Sequence, residues 1–117
     1  MLKIGLVDDS VILRSAIRNV LESSGHEVVL EAGNSDDLFA KLEKDMPQLL
    51  LLDVFFPTEN GLDILARLRK QYPDLKVLMV TGMKQESIAE EAKRLGADGV
   101  LYKPFDTDEL LNAIEQA

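Results

Sequence analysis

Asp8, Asp9, Asp53, Thr81 and Lys103 are the residues of this chain that could do chemistry together. Each follows or closes a short apolar run: LKIGLV before Asp8, LLLL before Asp53, LKVLMV before Thr81, and GVLY before Lys103. Carboxylates gathered at one place repel, by roughly 4 kcal/mol per pair at about 4 Å and an effective dielectric of about 20. Such a cluster needs a proton or a cation. A hard divalent ion suits it, and all-oxygen ligation with some water retained is what Mg²⁺ prefers. Lys103 supplies a fixed positive charge and Thr81 a hydroxyl donor. A carboxylate nucleophile, a metal, an ammonium and a hydroxyl together describe a site that receives and holds a phosphoryl group. Taken singly, each has a plainer role. Asp-Asp after a strand is a common helix N-cap, Asp53 a turn residue, Thr81 a strand-end hydrogen bonder, Lys103 a solvated lysine and Pro104 a loop proline. Their placement at successive strand ends carries the functional reading.

The elements must put those ends side by side. Leu49 to Leu52 form an unbroken apolar run that reads as a strand buried on both faces, with Asp53 at its C-terminal end where a loop opens. Pro57-Thr58-Glu59-Asn60-Gly61 is that loop, and Asn60 caps a helix with Leu62, Leu65 and Leu68 at helical spacing, running to about Tyr72. Leu2 to Val7 is a first strand. Val11 to Glu22 is a helix with Leu13, Ile17, Val20 and Leu21 inward, ended at Gly25. His26 to Glu31 reads as an edge strand, and Ser35 as the cap of a helix holding Leu38, Phe39 and Leu42. Leu75 to Val80 is the fourth strand. A thinly apolar helix with Ile88, Ala89, Ala92 and Leu95 follows, stopped by Gly96. Gly99 to Tyr102 is the fifth strand, and Asp106 with Glu109 makes a capping-box start for the last helix. Strands alternating with helices mean right-handed βαβ units. The expected fold is a doubly wound α/β domain, five parallel strands with helices on both faces. In such sheets chemistry sits beyond the carboxyl ends of the strands, where the five residues fall.

At 117 residues the chain is expected to be one domain, spanning residues 1–117. Its net charge of −8 argues against direct binding to nucleic acid and against adhesion to an anionic membrane. The absence of cysteine excludes disulfides and thiolate metal sites, and the single His26 cannot build a multi-histidine centre. No segment reaches the length of a membrane span, and the N-terminal apolar run is too short for a signal peptide, so a cytoplasmic location is expected.

With VDDS at Val7–Ser10, LLLLDVFFPTENG up to Gly61, VTG at Val80–Gly82 and KPF at Lys103–Phe105, the whole chain resembles the receiver domain of bacterial two-component response regulators, the flavodoxin-like fold of the single-domain chemotaxis regulator. The resemblance implies a (βα)5 sheet in the order 2-1-3-4-5. It implies that Asp53 accepts a phosphoryl group from a sensor histidine kinase or phosphotransfer protein. It implies Mg²⁺ held by Asp9 and Asp53, by the main-chain carbonyl of Phe55, and by Asp8 largely through water. Thr81 and Lys103 would contact the phosphoryl oxygens, and the Lys103–Pro104 peptide would be cis. A face built from the fourth helix, fifth strand and fifth helix would then act on a downstream protein target or a fused output domain.

The chain departs from the family in one place: the aromatic usual three residues before the lysine is Val100 here. Tyr102, on the same strand face, is the candidate replacement for the switch, or else a half-buried sheet tyrosine. Phe55 and Met83 stand two residues after Asp53 and Thr81, positions that the resemblance implies flank the approach of water, so they are candidates for tuning the lifetime of a phosphorylated state, or else merely cover the sheet's end. Phe105 to Ala117 carries Asp106, Asp108, Glu109 and Glu115 but no base, which favours a monomer over an ion-paired dimer formed on phosphorylation. Two other classes fit less well. A phosphatase of the haloacid-dehalogenase type needs an acid where Phe55 stands. A flavin-binding flavodoxin needs a Gly, Ser and Thr-rich first loop where Asp8-Asp9 would repel phosphate.

Overall fold

The computed structural model describes all 117 residues, Met1–Ala117. Strands β1 (Lys3–Val7), β2 (Glu27–Ala32), β3 (Leu49–Asp53), β4 (Lys76–Thr81) and β5 (Gly99–Tyr102) alternate with helices α1 (Val11–Ser23), α2 (Ser35–Leu42), α3 (Gly61–Gln71), α4 (Glu86–Arg94) and α5 (Thr107–Gln116). All strand pairings are parallel, and the sheet order is β2-β1-β3-β4-β5. The chain therefore runs outward from β1 to β2, crosses back through α2 to β3, and continues outward through β4 and β5. The reversal of direction lies between β1 and β3. There the flanking connections leave to opposite sides and open a crevice at the strands' carboxyl ends.

The apolar run in β3 is the hinge of the core. Leu50 and Leu52 face a cluster with Leu38 and Leu42 of α2, Ile64, Leu65 and Leu68 of α3, and Ala92 of α4. Leu49 and Leu51 face the other layer, with Ile17 and Leu21 of α1 and Leu110 and Ile114 of α5. With a period of two, a strand covered by helices on both faces must be apolar at every position, and every residue of β3 is buried.

The helix ends follow the sequence signals closely. Asn60 accepts a hydrogen bond from Leu62 N–H, and Asp106 and Glu109 form the reciprocal capping box of α5. Gly25 and Gly96 take left-handed φ values of 90° and 94° just beyond α1 and α4, a conformation that a Cβ disfavours. Strand limits differ from the sequence reading by a residue or so, as with β4, which starts at Lys76 and includes Thr81.

The start of α2 needs a correction. Its N-cap is Asn34, whose side chain accepts from Asp37 N–H at 2.8 Å, and Ser35 is the first helical residue. The reason lies far away in sequence. Ser35 Oγ and Ser35 N–H both donate to the Glu59 carboxylate, at 2.5 and 2.9 Å, which holds the side chain toward the β3–α3 loop.

Candidate functional site

β1 and β3 are adjacent, with Val7 paired to Leu52, so their next residues emerge together at the crevice. Carboxylate oxygens of Asp8, Asp9 and Asp53 lie within 4.8 Å of one another. Asp8 and Asp53 are buried and Asp9 is exposed. The plain capping role for the acid pair is taken by another residue: Ser10 Oγ accepts Leu13 N–H at 3.1 Å as the N-cap of α1. Asp8 Oδ1 accepts Ser10 N–H at 2.8 Å, which leaves its Oδ2 turned to the crevice.

Lys103 enters from β5. Its Nζ donates to Asp53 Oδ2 at 3.2 Å and to Asp8 Oδ2 at 3.3 Å. The peptide that follows, Lys103–Pro104, is cis, and Lys103 N–H donates to the Thr81 carbonyl at 2.8 Å. Burial raises the pKa of the Asp53 carboxyl; Lys103 opposes the rise and Asp8 adds to it. Burial alone would lower the Lys103 ammonium, but the charges of Asp53 and Asp8 outweigh it and raise its pKa. One ammonium serves two buried carboxylates, with a third beside them. With all three ionised, the group keeps an excess of negative charge. An all-oxygen donor set with that excess fits a hard divalent cation, held by Asp8, Asp9 and Asp53.

Thr81 closes β4 beside the crevice and is wholly buried. Its Oγ accepts Met83 N–H at 3.1 Å and makes no hydrogen bond to the carboxylates. Phe55 and Met83 are both exposed, 45% and 43%, on the loops that follow Asp53 and Thr81. Phe55 forms an isolated antiparallel bridge with Asn60, which folds the β3–α3 loop back on itself. Gly61 N–H donates to the Val54 carbonyl at 2.6 Å and closes that loop. In β5, Val100 pairs with Met79 and packs on the α2–α3–α4 side of the core, whereas Tyr102 pairs with Thr81. Tyr102 is half-buried, and the Lys84 ammonium stands 5.9 Å from its ring centroid.

Sequence reasoning missed Glu59. By accepting both donors of Ser35 it ties the loop after Asp53 to the first turn of α2, and those hydrogen bonds hold its carboxyl below the usual glutamate range. The partners are 24 residues apart, and no local spacing signals the pair.

A doubly wound sheet with an acid pocket and a lysine at its switch point defines a class of α/β domain, and comparison with known proteins places the chain within it. Residues 4–115 match the response regulator receiver domain. Chemotaxis protein CheY of Listeria monocytogenes is 36% identical over 117 residues, covering 100% of this chain and 98% of that protein. NtrC of Azospirillum brasilense, a DNA-binding transcriptional regulator, is 34% identical over 96% of this chain but only 23% of its own length. Among solved structures, a CheY-like receiver domain protein from Methanospirillum hungatei superposes with a TM-score of 0.89 at 31% identity, over 99% of this chain and 93% of that one. The receiver domain of NtrX from Brucella abortus gives 0.89 at 32%, over 97% and 96%. The chain belongs to the response regulator receiver domain family of two-component signalling, whose members are signalling switches rather than classical enzymes. No helix is long and apolar enough to cross a membrane.

Proposed function

We propose that this receiver, as one unit over residues 1–117, takes a phosphoryl group onto Asp53 from a sensor histidine kinase or phosphotransfer protein. Phosphorylation then changes the face formed by α4, β5 and α5 toward a protein target or a fused output domain. The observation that carries the reading is the Asp53 carboxylate itself, buried at the end of β3, hydrogen-bonded to Lys103 and clustered with Asp8 and Asp9. A carboxylate oxygen of Asp53 attacks phosphorus as the P–N bond of the donor's phosphohistidine breaks, and the leaving imidazole takes up a proton. Asp8, Asp9 and Asp53, with the Phe55 carbonyl, would hold Mg²⁺, which when bound neutralises charge on the phosphoryl oxygens. Lys103 already touches the attacking carboxylate and follows the charge as it moves outward. Thr81 Oγ, which accepts from Met83, keeps its own proton to donate to a phosphoryl oxygen. Tyr102, level with Thr81 in the sheet, rather than Val100, is placed to carry a change at Thr81 into the output face. No nucleic acid or membrane enters this reading, and the free protein works as a monomer.

The test is incubation with acetyl phosphate and Mg²⁺ followed by intact-protein mass measurement. Wild type should gain one phosphoryl group, and Asp53→Asn none. An Asp53→Asn protein that is labelled at the wild-type rate would place the acceptor elsewhere.

The phosphorylated state should also be comparatively long-lived. Hydrolysis needs a water in line behind phosphorus, opposite the Asp53 oxygen. Phe55 and Met83 stand on the two loops flanking the crevice, and neither can orient a water by hydrogen bonding. Replacing them together with Asn and Glu should shorten the lifetime about 10-fold, equivalent to ~1.4 kcal/mol of barrier. Decay of radiolabelled protein at fixed Mg²⁺ measures this. Equal rates, or a slower double variant, would mean that access from this side does not control the lifetime.

A further inference from the structure

We propose that Arg14 is a positioning residue for the metal-binding acids, acting through the main chain of Asp8; the inference rests on the reading of Asp8, Asp9 and Asp53 as a Mg²⁺ site. Arg14 lies on the second turn of α1, behind the crevice, and its side chain is only 15% exposed. Its Nη1 donates to the carbonyl oxygen of Asp8, and its Nε donates to Glu31 Oε1 of β2 at 3.2 Å. Arg18, one turn on, reaches the other oxygen of Glu31 at 2.9 Å. Arg14 also lines a small, mainly apolar pocket together with Asp8, Asp53 and Val80.

The consequence is geometric. Asp8 N–H donates to the Ala32 carbonyl at 3.0 Å, the last link of β1 to β2. With Asp8 N–H held by β2 and its carbonyl held by Arg14, the chain is fixed on both sides of the Asp8 Cα, and the second hold fixes the Asp8–Asp9 peptide plane. That plane sets where the Asp9 side chain leaves the backbone, and Asp9 has no hydrogen-bond partner of its own. Carboxylates that repel one another would otherwise relax by swinging this loop away from Asp53. Glu31 anchors the guanidinium to the sheet and balances its charge, so the contribution is placement rather than a bare positive field. Only a planar fork can serve Asp8 and Glu31 at once; a lysine at this position offers a single point donor.

Outer residues that orient metal ligands typically contribute 10–100-fold in metal affinity. Calorimetric titration of Mg²⁺ into the full metal-free chain should therefore show the dissociation constant raised ~10-fold in both Arg14→Met and Arg14→Lys. The lysine variant keeps the charge and guards against a methionine variant that fails to fold, and circular dichroism checks both. Melting in EDTA separates positioning from mere stabilisation. Lower melting temperatures with an unchanged dissociation constant would overturn the proposal. So would a lysine variant that binds as wild type does, which would assign the effect to charge. A wild-type chain that takes up no Mg²⁺ would instead remove the metal-site reading beneath it.

Discussion

Gly61→Ala should lower the melting temperature by roughly 10–15 °C, a loss of about 3 kcal/mol, and should slow phosphorylation of Asp53 as well. The reason is a close approach of backbone to backbone. Gly61 N–H closes the loop onto the Val54 carbonyl at 2.6 Å, so its Cα is drawn against β3. A Cβ there would drive into the Asp53 carbonyl oxygen and stand 2.8 Å from Val54 Cα and 2.9 Å from the Asp53 carbonyl carbon. Its φ is not in the left-handed region, so the glycine is needed for space and not for conformation. Main-chain atoms cannot yield as a flexible side chain does, and the displaced atoms belong to Asp53, the proposed phosphoacceptor. Thermal melting measures the first effect and acetyl phosphate labelling the second. Gly82→Ala is the internal control, because a Cβ there meets nothing within 4 Å. Equal melting temperatures for wild type and Gly61→Ala would show that the loop relaxes freely.

Mg²⁺ at 100 times its dissociation constant should stabilise wild type by ~2.7 kcal/mol, or about 10 °C, provided the unfolded chain does not bind it. Without the ion, oxygens of three carboxylates crowd within 4.8 Å, with one lysine between two of them. Asp53 makes this crowding depend on pH. Its folded pKa is raised, chiefly by burial, so the folded protein holds that proton more tightly than the unfolded chain does. Stability from this group is thus withdrawn as pH rises from its ordinary value through the raised one, and at neutral pH its ionised form is a net cost. Asp53→Asn removes that cost. The variant should melt above wild type at neutral pH in EDTA and lose the advantage in acid, where Asp53 is protonated. It should also respond less to Mg²⁺. The gain is limited because Lys103 loses one of its two partners, but Asp8 remains at 3.3 Å. Melting curves in EDTA and in excess Mg²⁺ across the pH range decide it, and a wild type that melts identically with and without the ion would exclude the metal site.

The sequence by itself determined the elements and the roster of the crevice. β3 was legible because a strand covered on both faces must be apolar throughout, and four leucines in a row leave few other options. Asn60, Asp106 and Glu109 were legible as caps because capping acts over three residues or fewer. Asp8, Asp9, Asp53, Thr81 and Lys103 were legible because each terminates an apolar run, and a parallel sheet gathers such ends at one edge. Only the tertiary structure decided how they are held. Ser35 reads as a cap from its neighbours, yet Glu59 claims both its donors across 24 residues. Arg14 reads as one more polar residue on α1, yet it grips the carbonyl of Asp8. Gly61 reads as a loop glycine, yet its hydrogen atom is the space the Asp53 carbonyl requires. Val100 and Tyr102 share a strand face, and only the register with β4 sets Tyr102 opposite Thr81. Local signals arise from hydrogen bonds and side-chain periodicity within a few residues. Grip, clearance and register depend on distances between segments that the chain brings together only when the sheet is complete.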